Sequence, residues 1–169
     1  MGCDIHFFCE RFSDEPITNG PVDISEQREE RLSTLLEYRD KIEPRWISVD
    51  DWELEDYDDE IPGWECSESF YSGRSYHLFG VLAGVRTWDY DETICEPRGI
   101  PSDASYAYKY MCDQWDGDAH SHSYFTLEEL LEVDWTSKDL KWFQDTTIKK
   151  MKSIDPDPKK IRAVFFFDN

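Results

Sequence analysis

The chain has 169 residues, room for one compact domain and too little for two substantial ones. Eighteen Lys and Arg face thirty-eight Asp and Glu, a net charge of −20, which argues against a protein that grips nucleic acid by neutralising its phosphates. Aromatic residues make up 15% of the chain, which excludes an acidic disordered polymer and supplies material for a core.

No stretch reaches eighteen uninterrupted apolar residues, so no transmembrane helix is predicted. The N-terminus reaches Asp4 and His6 at once and lacks the basic and apolar layout of a signal peptide. Met1-Gly2-Cys3 suggests a lipid acceptor, but that pattern requires Ser or Thr where this chain has His6. The five cysteines, Cys3, Cys9, Cys66, Cys95 and Cys112, are odd in number and form no C-x-x-C pair. This usage predicts reduced thiols in a cytoplasmic protein rather than a disulfide framework or a zinc ribbon.

In chain order, Cys3 to Arg11 alternate as a strand, with Ile5, Phe7 and Cys9 on one face and Asp4, His6, Phe8 and Glu10 on the other. Pro16, Asn19, Gly20 and Pro21 mark a loop. A helix is predicted over 25–41, with Leu32, Leu35, Leu36 and Tyr38 as its apolar stripe, and Pro44 closes it. The segment at about 48–62 is irregular and acidic: eight acids fall among the eleven residues from Asp50 to Glu60. Their mutual repulsion predicts a solvated loop or strand edge, pinned by Trp46, Trp52 and Trp64. Tyr76 to Arg86 is the most apolar stretch of the middle and is long enough for a buried helix, with Gly80 and Gly84 read as points of close backbone packing.

Pro97, Gly99 and Pro101 interrupt the chain before Ser102, the predicted N-cap of a helix running to about Trp115. Asp116-Gly117-Asp118 reads as a turn. Thr126 and Glu129 form a capping-box pattern that opens a helix through Val133. Thr136 or Ser137 is the predicted cap of the next helix, with Leu140, Phe143, Ile148 and Met151 inward and Lys149, Lys150 and Lys152 at the negative end of its dipole. Ile161 to Phe167 is a nearly continuous apolar run, predicted to be a strand buried on both faces. The order of elements predicts an α+β fold. It is a single compact domain over 1–169, whose small sheet includes both terminal strands and is packed by three to five helices.

Three polar features stand out. Asp4, His6 and Glu10 share one face of the first strand, where a carboxylate and an imidazole converge on a cation or simply meet water. His120 and His122 lie in Asp118-Ala119-His120-Ser121-His122-Ser123 and project the same way if the segment is extended, as in metal-dependent hydrolases; a solvated polar loop is the plainer reading. Asp168 follows the buried terminal strand, either at a site on its C-terminal end or as the start of a polar tail. Together Asp4, His6, His120, His122 and Asp168 offer ligands to a divalent metal ion, Zn²⁺, Mn²⁺ or Fe²⁺, while Mg²⁺ prefers the carboxylates. Asp4 or Glu10 is the candidate general base. Arg86 and Arg98 are candidates for holding a phosphate, or else surface ion pairs.

Several motifs carry a resemblance. They are Gly2-Cys3-Asp4-Ile5-His6 with Glu10, Leu82-Ala83-Gly84-Val85-Arg86, Pro97-Arg98-Gly99-Ile100-Pro101, His120-Ser121-His122-Ser123, Asp134-Trp135, and Val164-Phe165 with Phe167-Asp168-Asn169. They resemble a family of small uncharacterised proteins encoded by phages and prophages. The likeness spans both ends and much of the middle, and leaves out the acidic segment from Asp50 to Glu60. It implies a viral gene expressed in the bacterial cytoplasm and acting on a host pathway, and it supplies no reaction.

Three functions compete. One is a metal-dependent hydrolase of a nucleotide or phosphoester, directed against a host defence. Another is a non-catalytic acidic inhibitor that imitates nucleic acid and binds a host defence protein. The last is a protein that sequesters a small nucleotide signal in a pocket of Trp, Tyr and Arg.

Overall fold

The computed structural model describes residues 2–13, 45–55, 63–88 and 92–169. The helix predicted over 25–41 and the loop before it lie outside the described residues. Helices and strands mix in an α+β domain. Its main sheet has four antiparallel strands in the order β2-β1-β6-β5: β1 (Ile5–Ser13), β2 (Arg45–Ser48), β5 (His120–Thr126) and β6 (Ile161–Phe167). A separate two-stranded ribbon joins β3 (Asp51–Glu55) to β4 (Gly63–Glu68).

The two terminal strands are neighbours, with Ile5 opposite Phe167 and Arg11 opposite Ile161. Every residue of β6 is buried, because helices cover both faces of the sheet. On one face Phe7, Phe165 and Phe167 pack with α1 (Tyr76–Ala83), α3 (Leu127–Glu132) and α4. Helix α4 is a run of three pieces, Lys141–Phe143, Gln144–Ile148 in π geometry and Lys149–Lys152. On the other face Phe8, Val164 and Phe166 meet α2 (Tyr106–Trp115) through Tyr108 and Cys112. Burying each Phe contributes about 1.5–3 kcal/mol. The polar alternation of β1 is therefore largely covered: His6, Phe8 and Glu10 lie under α2, while the Asp4 side chain, just ahead of the strand, stays about half exposed.

Helix ends differ from the sequence expectation where tertiary contacts choose the cap. Ser105, not Ser102, caps α2, its hydroxyl accepting from Tyr108 N. Its own N–H donates to buried Glu10 at 2.7 Å, so the sheet selects this serine. Neither Thr136 nor Ser137 caps α4: Ser137 closes a turn on Asp134, and the helix begins at Lys141. The capping box of Thr126 and Glu129 opens α3 as predicted. Gly84 caps α1 at φ 68°, and a Cβ there would meet only Thr93 Oγ1 at 3.5 Å. Conformation rather than close packing requires this glycine.

The acidic segment is more ordered than its charge predicts. Asp51, Glu53 and Glu65 are exposed on the ribbon, but Asp50 is buried. Trp52 stacks on Phe8 and Trp46 packs on Phe12; residues 56–62 and the Trp64 side chain lie outside what is described. The Asp50 carboxylate accepts from Cys9 N, Phe70 N and Ser48 Oγ, tying β1 to the chain ahead of α1. Burial outweighs these bonds and lifts its carboxyl from 3.8 to about 7.

An acid raised in the folded state binds its proton more tightly there than in the unfolded chain. Its contribution to stability is therefore lost as pH rises from about 4 to about 7. Urea midpoints of the protein should fall between pH 5 and pH 8, and Asp50→Asn should flatten this slope while lowering the absolute midpoint. An unchanged slope in the variant would show that Asp50 is not the group responsible.

Candidate functional site

The β1–β6 register sets Asp4 and Asp168 just past the paired ends of their strands, on the same side as His6 and Phe166. Asp168 is 8% exposed and bridges the two strands. Its Oδ1 accepts from Asp4 N at 2.9 Å, its Oδ2 lies 3.0 Å from His6 Nε2, and its own N–H donates to Asp4 O at 3.2 Å. A carboxylate only accepts, so Nε2 of His6 carries the proton and Nδ1 of the neutral ring keeps a lone pair. The ring stacks on Phe166 and tilts against Trp115, both at 4.5 Å. The buried, unpaired side-chain nitrogens among the described residues are Arg11 Nε and His120 Nε2, so His6 Nδ1 is not sealed from solvent.

His120 and His122 do not project the same way. His120 pairs with Phe167, Ser123 pairs with Phe165, and the intervening irregularity sets Ser121 at φ 52°. The extra residue reverses the alternation. His120 stacks on Phe167 over the α1 face, whereas His122 lies 5.3 Å from Phe166 on the α2 face with His6. The Tyr108 hydroxyl donates to Phe165 O at 2.9 Å and lies 3.0 Å from His122 Nδ1. Having one proton, the hydroxyl must accept from Nδ1–H, which leaves the lone pair of His122 on Nε2. Burial, then the neighbouring His120, hold His122 below the ordinary histidine range.

The other candidates are distributed unevenly. Both oxygens of Asp4 engage Arg74, whose guanidinium holds the Asp4 carboxyl below its usual range. Arg86 reaches Asn169 Oδ1 at 3.4 Å and so joins this end of the sheet. Arg98 sits elsewhere, paired with Glu129 at 2.8 Å and stacked over Phe125. Glu10 is sealed beneath α2, where its Oε2 accepts from Arg162 Nε at 2.6 Å. Burial pushes the thiols of Cys3, Cys9 and Cys112 upward, the last to about 12, so they are protonated at neutral pH and poor nucleophiles.

The expected metal ligands are therefore not assembled. Among the described residues no group of three His, Cys, Asp or Glu is arranged to hold a metal ion. Asp4 is occupied by Arg74, His6 and Asp168 by each other, and His120 faces the opposite side of the sheet. Sequence reasoning missed Arg74, Tyr108 and Trp115. The i, i+4, i+7 spacing of Tyr108, Cys112 and Trp115 was the available signal for one helix face covering the histidines.

Comparison with known protein families, curated proteins and solved structures finds no match to the chain. Among the described residues no helix is long and apolar enough to cross a membrane.

Proposed function

We propose that the protein is a phage-encoded cytoplasmic hydrolase of a nucleotide or other phosphoester, acting on a host defence pathway, with His6 rather than a metal-bound water handling the proton. One observation carries this reading: the His6 Nε2–Asp168 Oδ2 pair at 3.0 Å, with the other carboxylate oxygen held by Asp4 N–H. A base oriented by a fixed carboxylate and open at its second nitrogen is the arrangement that general acid–base catalysis requires. Arg86 at the same sheet end supplies positive charge for an anionic substrate.

Protein assayed in EDTA against aryl phosphoesters and linear and cyclic dinucleotides should turn over at least one of them. His6→Ala should lower that rate by about 10²–10⁴-fold, the usual contribution of a positioned acid or base. Equal rates in the two proteins would refute the role of His6. Absence of turnover on the whole panel would favour a second reading, an acidic inhibitor of a host defence protein. That reading draws on the ribbon, where Asp51 opposes Glu68 and Glu53 opposes Glu65, like charges that a basic partner would relieve.

A further inference from the structure

Trp115, the last residue of α2, tilts against the imidazole of His6 with ring centroids 4.5 Å apart. The His6 side chain keeps 18% of its surface exposed, and the indole beside it is 36% exposed. A molecule that reacts at the open edge of His6 has this indole as its neighbour.

The indole is held in place before any ligand arrives. Asp116 caps α2 at φ 35°, its N–H donating to Cys112 O. Across the 3₁₀ turn Asp116–Asp118, Ala119 N donates to Asp116 O at 3.3 Å. A positive φ at a residue other than glycine persists only where its surroundings fix it. A Cβ on Gly117 would meet nothing within 4 Å, so the space beside this turn is open.

Charge divides the surroundings of His6. Exposed Asp116 and Asp118 follow the indole in the chain, whereas Arg74 and Arg86 reach Asp4 and Asn169 at the strand ends. Carboxylates repel a phosphate from the indole side and guanidinium groups draw it to the other. The part of a substrate that suits the indole is therefore flat and uncharged.

We infer that Trp115 is the stacking platform for a nucleobase, so that the substrate of this site is a nucleotide with its base on the indole and its phosphate toward Arg86. The inference rests on the reading of the site as a phosphoester hydrolase and narrows its substrates to nucleoside phosphoesters. Every base offers a π surface to an indole, so the platform selects for a nucleobase without choosing which one.

The test compares thymidine 5′-(p-nitrophenyl phosphate) with methyl p-nitrophenyl phosphate, diesters that share a leaving group and differ in the nucleoside. Wild-type kcat/KM should favour the nucleoside ester by about 10-fold or more, mainly through KM. Trp115→Leu should reduce that preference by about 10-fold, and Trp115→Phe, which keeps a ring, should retain most of it. Equilibrium dialysis with thymidine 5′-monophosphate should show an affinity loss of about 10-fold in Trp115→Leu, independently of turnover. Equal wild-type kcat/KM on the two esters, or a preference unchanged in Trp115→Leu, would overturn the platform and leave the hydrolase reading standing. Equal losses on both esters in Trp115→Leu and Trp115→Phe would show that the indole only holds His6 in place, and would also overturn it. A wild-type protein inactive on both esters would overturn the hydrolase reading and the inference together.

Discussion

Glu10→Ala is expected to lower the free energy of unfolding by about 3–5 kcal/mol, the usual effect of breaking a buried ion pair from one side. Glu10 has no exposure and Arg162 only 4%. One carboxylate oxygen accepts from Arg162 Nε at 2.6 Å and the other from Ser105 N at 2.7 Å. Arg162 also donates to Asp103 Oδ1 at 2.8 Å and lies 4.1 Å from the Trp46 ring. Removing Glu10 leaves a buried guanidinium short of its anion and the first turn of α2 without its anchor. Glu10→Leu combined with Arg162→Met should recover most of the loss, because it removes both charges and fills the space. Urea denaturation of the three proteins checks this. A loss below about 1 kcal/mol in Glu10→Ala would mean that the network is solvated rather than buried.

Asp168→Asn should abolish most of the proposed hydrolase activity while leaving the fold nearly as stable. Asp4 N–H needs an acceptor, so the carboxamide oxygen of Asn must turn toward it. The amide NH₂ then faces His6 Nε2, which has to accept, and the ring proton moves to Nδ1. The lone pair that should face the substrate disappears, and turnover should fall by about 10²–10⁴-fold, as for loss of a positioned acid or base. Thermal unfolding should move by only a few degrees, since both hydrogen bonds are remade, about 1 kcal/mol at most being at stake. The ¹⁵N shifts of the His6 ring report the tautomer directly, without any substrate. A ring still protonated at Nε2 in the variant, or turnover at the wild-type level, would rule out this role for Asp168.

Much of the fold could be read from local chemistry. The alternation of Cys3 to Arg11 and the continuous apolar run of Ile161 to Phe167 describe two strands of unequal burial, and these pair along the middle of the sheet. The capping box at Thr126 and the apolar stripe of Leu140, Phe143, Ile148 and Met151 behave as predicted, since both depend on residues close in sequence. The cap of α2 was not legible. Ser102 and Ser105 are both competent, and the choice falls to Glu10, ninety-five residues away in the chain. The burial of Asp50 among so many exposed acids was hidden for the same reason: its donors come from Cys9 and Phe70.

At the candidate site, strand parity places Asp4 and His6 on one face of the first strand, and this much follows from periodicity alone; the β1–β6 register then brings Asp168 to them. Tertiary structure decided how these groups divide. A backbone irregularity at Ser121 sends His120 and His122 to opposite faces, which no alternation rule predicts. Arg74, just ahead of α1, occupies Asp4, and Arg162 claims Glu10 as part of the helix-to-sheet joint. Which carboxylate is spent on structure and which stays beside an open imidazole depends on where the cations fall in space. Spacing along a chain encodes the face a side chain occupies, but the partner it finds there comes from another segment.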